Sequence, residues 1–157
     1  MTDLHPRRTG ERLRLGTDEL AFRVTSAQTE GALLAVEVRL PPGGGPPALH
    51  RHAPTEVYRI DTGELAIYLE DDEGAVQRIA ATPGAVVHIP AGRAHTVRNE
   101  SDAEALAYVV FAPGIEIERF MRAAGALAAD GAPSLTDVLA LAERHGIEML
   151  NTAPALA

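Results

Sequence analysis

Four residues have the types and spacing to hold a metal ion: His50, His52, Glu56 and His95. His50 and His52 are two apart, so on an extended strand their side chains leave the same face, with Cα atoms about 6.7 Å apart. Two imidazoles can then converge on one ion. Glu56 keeps the same parity, and the intervening Ala53-Pro54-Thr55 allows a bend that brings its carboxylate in from a neighbouring strand direction. His95 supplies a third imidazole just beyond Pro90-Ala91-Gly92. The chain contains no Cys, which excludes disulfides, thiolate ligands and a Cys nucleophile. Three neutral nitrogens and one carboxylate suit one divalent transition metal, Fe, Mn, Ni, Cu or Zn. Four protein ligands leave positions for water, dioxygen or a chelating substrate. An isolated His-x-His is as readily a pair of surface or core histidines, so the rest of the chain has to supply the context.

The elements that must position these residues are short strands. From about residue 11 to 112, Gly, Pro and acidic turns punctuate short stretches at the spacing of an all-β sandwich or barrel. Residues 12–15, 20–25 and 32–40 read as strands; in the last, Leu34, Val36, Val38 and Leu40 share one face, Glu37 and Arg39 the other. Pro41-Pro42-Gly43-Gly44-Gly45-Pro46-Pro47 propagates neither helix nor central strand and is a loop leading into 48–52. Strands follow at 56–60, 64–69, 75–80, 85–89, 95–98 and 105–111, linked by turns such as Asp61-Thr62-Gly63 and 70–74. After Pro113 the period changes. Residues 115–127 and 134–144 have helical apolar spacing, with Ser134 as N-cap, Asp137 at the capping-box position and His145-Gly146 as a stop. One domain spans 1–157, with a barrel over about 11–112 and a helical extension over about 115–150. There is no repeat at solenoid spacing.

Gly44, five residues, His50-x-His52, three residues, Glu56, six residues and Gly63 form one block; after twenty residues come Gly84, five residues, Pro90-x-Gly92, two residues, His95, three residues and Asn99. Gly63 and Gly84 suit tight turns, and Pro90-x-Gly92 suits a bend that re-aims His95 inward. The two blocks resemble the cupin family at every fixed position, over about residues 30 to 112. The resemblance implies a double-stranded β-helix, or jelly-roll, barrel with the metal inside and two short C-terminal helices outside. It also implies pairing into a homodimer, for which the early strands and terminal helices offer apolar surface. The order of barrel, FMRAAGAL-like helix and ERHGIEML is similar to small bacterial quercetin-dioxygenase-like cupins.

Parity places Tyr58 and Ile60 beside Glu56, Val97 beside His95, and Val36 and Val38 opposite, together a mostly apolar substrate pocket. Tyr58 is expected to fill core space with its hydroxyl on a carbonyl, and Phe22 and Phe111 to be core. Arg93 is placed at the barrel mouth or in a solvated turn. His88 reads as a packing residue, His145 as a helix C-terminal cation, Glu116 and Glu118 as first-turn acids, and His5 as part of a loose N-terminus.

All 14 basic residues are Arg and the net charge is -8. Without Lys there is no Schiff base and no P-loop lysine. Without a basic stripe or a helix-turn-helix, nucleic acid and membrane surfaces are poor partners, and the expected partner is a small molecule. No apolar run resembles a secretory signal or a span, so a cytoplasmic location is expected. The resemblance implies a dioxygenase acting on a small enolic or flavonol-like substrate, with Glu56 as catalytic residue as well as ligand. Non-redox isomerase or lyase chemistry on the same ligands, and a metal-stabilised binding protein without catalysis, stay open.

Overall fold

Hydrophobic alternation does most of the folding work here. The structure is a computed structural model describing residues 10–152, with side chains for 10–150; His5 lies outside the described residues. Its strands are Arg12–Leu15 (β1), Asp18–Val24 (β2), Leu34–Leu40 (β3), Ala48–Arg51 (β4), Thr55–Thr62 (β5), Leu65–Glu70 (β6), Val76–Ala81 (β7), Val86–Ile89 (β8), His95–Arg98 (β9), Ala105–Ala112 (β10) and Glu148–Thr152 (β11). Helices Ile115–Ala129 (α1) and Leu135–Arg144 (α2) lie between β10 and β11. Two antiparallel sheets result, ordered β1-β2-β3-β10-β5-β8 and β11-β4-β9-β6-β7. This is the expected jelly-roll arrangement.

Strand β10 shows why the sheets close on each other. Ala105, Ala107, Val109 and Phe111 are buried while the residues between them are partly exposed, the two-residue period of a strand with one face on a core. It is central, paired with β3 on one side and β5 on the other. Leu34, Val36, Ile60, Leu65, Ile67 and Ile89, all nearly inaccessible, fill the space between the sheets. Their removal from water supplies the main drive for folding, about 1.5–3 kcal/mol for each fully buried side chain of this size.

The helices close one flank. Glu118 of α1 is buried, and its carboxylate accepts from Ser26 N and Oγ at 2.8 and 3.0 Å and from Arg122 at 3.0 Å. Ser134 caps α2 as expected, its Oγ accepting from Asp137 N at 3.1 Å. Among the described residues, no helix is long and apolar enough to cross a membrane.

The extension departs from its helical expectation after residue 146. Gly146 adopts φ +74°, ends α2 and reverses the chain; Ile147 is then buried and β11 pairs with the free edge of β4. Arg51 and Glu148 join across that edge in a two-pronged ion pair at 2.9 and 3.1 Å. Strand formation here depends on an open edge far away in sequence, which local periodicity cannot show.

The motif glycines separate into two kinds. Gly63 has φ +75°, and a Cβ there would stand 2.5 Å from the Glu104 carbonyl oxygen. Gly84 has φ +89° with open space around it. Gly63→Ala should therefore cost roughly 2 kcal/mol or more and Gly84→Ala about 1 kcal/mol. Urea denaturation of both variants tests this, and equal losses would contradict it.

Candidate metal centre

The strand order builds the site from both sheets. His50 on β4 pairs directly with His95 on β9. His52 follows the end of β4, and within three residues the chain crosses to the other sheet, where Glu56 sits near the start of β5. The Ala53-Pro54-Thr55 bend is that crossing. The two motif blocks are fastened together by the Gly92 N–H, which donates to the His52 carbonyl at 2.9 Å. Asn99 is buried and fully used: its Nδ2 donates to Leu40 O and Ala103 O, and its Oδ1 accepts from Ser101.

Each imidazole is committed through Nδ1. His50 donates to Ala48 O, His52 to Pro54 O and His95 to Arg93 O, all at 2.9 Å. A carbonyl can only accept, so Nδ1 carries the proton in all three rings and the neutral form of each presents a lone pair at Nε2. One nitrogen from each ring lies within 4.8 Å of the others, a cluster able to hold a metal ion. His52, His95 and Glu56 are buried, and His50 is partly so.

Glu56 Oε2 stands 3.1 Å from His52 Nε2 and 3.0 Å from His95 Nε2. Despite these distances, Glu56 Oε2 and His95 Nε2 have no hydrogen-bond partner. Acceptors facing acceptors in a buried space are unfavourable unless a cation lies among them. The donor set, nitrogen and oxygen without sulfur, fits a divalent transition metal.

Burial and mutual contact shift the titration of three of these groups. Burial pushes the His50 imidazole down to about 4, with His95 adding to the effect, so His50 is neutral at physiological pH. Burial raises the Glu56 carboxyl, but contact with His52 and His95 outweighs it and holds Glu56 well below the ordinary carboxylate range. Burial lowers His95, yet the Glu56 carboxylate prevails and raises it. The centre thus favours positive charge opposite an ionised carboxylate.

The metal cluster opens into a cavity of about 930 Å³. Of the expected pocket residues, Tyr58, Val38 and Val97 line it. Val36 and Ile60 do not: both are inaccessible core residues, with Val36 packed between Phe22 and Val109 in register. Parity gives their face correctly, but they lie at the wrong depth along the strand. Tyr58 lies beside Glu56, and burial with the nearby Glu56 charge lifts the phenol well above its ordinary range. Phe111 also faces the cavity, its ring 6.3 Å from that of His52. Arg93 is directed away, donating to Glu70 O and paired with Asp72. His88 is exposed beside Thr55, and His145 caps α2 while lying 3.4 Å from Glu116 of α1.

Asp18 is a cavity residue with no motif or periodicity to mark it. Burial raises its carboxyl to about 6, against hydrogen bonds from Gly45 N–H and Thr17.

Residues 36–111 match the cupin domain family, Cupin_2. An RmlC-like cupin from Shewanella frigidimarina NCIMB 400 is 18% identical, with 71% of this chain and 89% of that one covered and a TM-score of 0.57. A variant of oxalate decarboxylase from Bacillus subtilis is 24% identical, covering 69% of this chain, with a TM-score of 0.57. The chain spans only 28% of that decarboxylase. A sugar phosphate isomerase of the cupin superfamily from Silicibacter pomeroyi is 24% identical over 62% of this chain and 60% of its own, with a TM-score of 0.50. At these identities the likeness shows the fold. No curated protein matches the sequence. With the two-block motif, the paired sheets and the family match in agreement, residues 36–111 form a cupin domain, whose three clustered histidines are able to hold a metal ion.

Metal binding should stabilise the protein by about 2.7 kcal/mol at free metal 100-fold above Kd, a rise of about 5–10 °C in Tm for a domain of this size. Differential scanning calorimetry with Zn²⁺ or Mn²⁺ measures it, and His95→Ala should abolish most of the rise. Asp18 gives a second test. Its folded pKa lies above its ordinary value, so the folded state holds a proton that the unfolded chain has released, and Asp18 removes stability as pH rises through about 4 to 6. Its polar neighbours are the Thr17 hydroxyl, the Gly45 N–H and the neutral Tyr58 phenol. Asp18→Asn should melt higher than the parent at pH 7.5, with the advantage gone at pH 3.5.

Proposed function

We propose that this cupin is a metal-dependent oxidoreductase of the dioxygenase type, acting on a small enolic or flavonol-like substrate. The observation that carries the reading is a three-histidine site, with two of its rings and the neighbouring carboxylate buried, opening directly into a largely apolar cavity. Glu56 is read as the fourth ligand, since its Oε2 stands 3.1 Å from His52 Nε2 and 3.0 Å from His95 Nε2, close enough that the three atoms would hold one ion together. The ion, one of Fe, Mn, Ni, Cu or Zn, would supply Lewis-acid chemistry to an enolic oxygen and, for the ions other than Zn, redox chemistry as well.

The chain's own residues do the rest. Glu56, ionised and buried, accepts the proton of the substrate's enolic hydroxyl. Tyr58, buried beside Glu56, is placed to hold the carboxylate's orientation and leave acceptor sites for that proton. Val38, Val97 and Phe111 surround the substrate and keep water from the reacting atoms. Pairing of two copies is a separate part of the reading, resting on Ile115, Leu135 and Leu139, exposed on the two helices; a single-chain mass in multi-angle light scattering overturns it.

The test is metal analysis of untagged protein, then oxygen uptake with flavonols and β-diketones after reconstitution with Fe, Mn, Ni, Cu or Zn. Uptake is expected on at least one metal, and His50→Ala and Glu56→Ala should each reduce kcat/KM by about 100-fold or more. Bound metal without uptake on any reconstitution replaces this reading with non-redox isomerase or lyase chemistry, or with ligand binding alone.

A further inference from the structure

The cavity extends well beyond the metal ligands. Its outer part lies between the barrel mouth and the C-terminal extension, walled by Leu13 and Leu15 of β1, Phe120 and Met121 of α1, Leu141 of α2 and Met149 of β11. At about 930 Å³ it is at the upper end of the size range of small-molecule pockets. A small dianion such as oxalate would leave most of it unfilled. A phosphate would need a cation, yet among the described residues the one Arg on the lining, Arg14, is exposed and within 3.8 Å of Glu19.

Asp18 interrupts this apolar wall. It stands at the start of β2, half-buried, with both carboxylate oxygens 3.2 Å from the Gly45 N–H. It forms no ion pair among the described residues. A carboxylate has about four acceptor positions, more than the Gly45 N–H and neighbouring Thr17 occupy among the described residues. The Pro/Gly loop presses against it: a Cβ on Gly44 would lie 2.5 Å from Asp18 Oδ1. The same loop is tied to the motif Asn99, whose N–H donates to Gly44 O and whose carbonyl accepts from Gly43 N–H. Glycine at position 44 thus lets the backbone close over the carboxylate.

We infer that Asp18 is a second recognition point of the cavity, accepting a hydrogen bond from a distal O–H or N–H of a mainly apolar, aromatic-sized ligand whose chelating oxygens sit at the metal centre. The inference rests on the reading of that centre as one that takes an enolic oxygen, and it narrows the ligand class to molecules with a donor at the far end of an apolar body. Burial of an unpaired carboxylate opposes folding, and an Asn in its place keeps an acceptor for Gly45 N–H. Structure alone therefore gives no reason for the charge.

The test uses Zn²⁺-loaded protein, in which no redox turnover competes with binding, and a set of 3-hydroxyflavones that differ only by one added hydroxyl at ring position 7, 3′ or 4′. Binding is read by flavonol fluorescence. At least one hydroxylated member should bind the parent protein about tenfold more tightly than 3-hydroxyflavone. Asp18→Ala should erase that gain while changing 3-hydroxyflavone affinity less than about threefold, and Asp18→Asn should erase part of it while melting higher than the parent at pH 7.5. If 3-hydroxyflavone binds but no added hydroxyl gains affinity, or if both variants weaken every flavonol equally, Asp18 is not a recognition point and the metal-site reading stands. If no flavonol binds the parent protein at all, the reading of the centre fails and takes this inference with it.

Discussion

Three imidazoles, each held by a main-chain carbonyl at Nδ1, turn their Nε2 atoms toward one another and toward the Glu56 carboxylate. Such a gathering of acceptors repels itself in a low-dielectric interior and persists only because the surrounding scaffold fixes every member. The carbonyl anchors do this locally. Because Ala48, Pro54 and Arg93 lie two residues from the His each one holds, the backbone at each ligand sets ring orientation as well as position. A cation then removes the repulsion that the scaffold sustains.

The larger architecture follows from bringing these groups together. Adjacent strands β4 and β9 deliver His50 and His95 in register, while Glu56 arrives from β5 in the other sheet. The crossing takes only residues 52–54 between the strands, so His52 and Glu56 can be close without sharing a ladder. Gly92, donating to the His52 carbonyl, sets the distance between the two halves. The apolar core of the sandwich makes this junction rigid, since core side chains at interior packing density leave the sheets little room to slide.

Much of this was legible in the sequence. The alternation in 34–40 and 105–111, the turn residues between strands and the two-block spacing identify the barrel and the histidine cluster because each depends on local geometry. Depth along a strand is not local. Val36 and Ile60 have the face expected of pocket residues, yet they lie in the sealed part of the sandwich, where Val36 stands between Phe22 and Val109 of the neighbouring strands. The same limit applies to Arg93, whose placement depends on Asp72 in a different turn, and to β11, which exists because β4 has an edge to fill. Asp18 carries no pattern: an acidic residue after Gly16-Thr17 reads as turn chemistry, and only the approach of the 43–45 loop and Tyr58 makes it part of a cavity.

That contrast divides the molecule into two kinds of surface around one space. The inner half is polar, preorganised and built from strand register, which explains why its residues show as a motif. The outer half is apolar, contributed by β1, α1, α2 and β11, and its residues touch the cavity through ordinary hydrophobic packing that many side chains satisfy. A barrel that needed only to seal its metal site would close this outer space with side chains, gaining about 25 cal/mol for each Å² of apolar area withdrawn from water. Here the helices stand off and leave the space open, with Asp18 and Glu56 each reaching into it. Forgone apolar burial and a desolvated carboxylate both oppose stability, a combination expected where a fold keeps room for a ligand. The open volume belongs to function for the same reason the acceptor cluster does: folding alone would select against both.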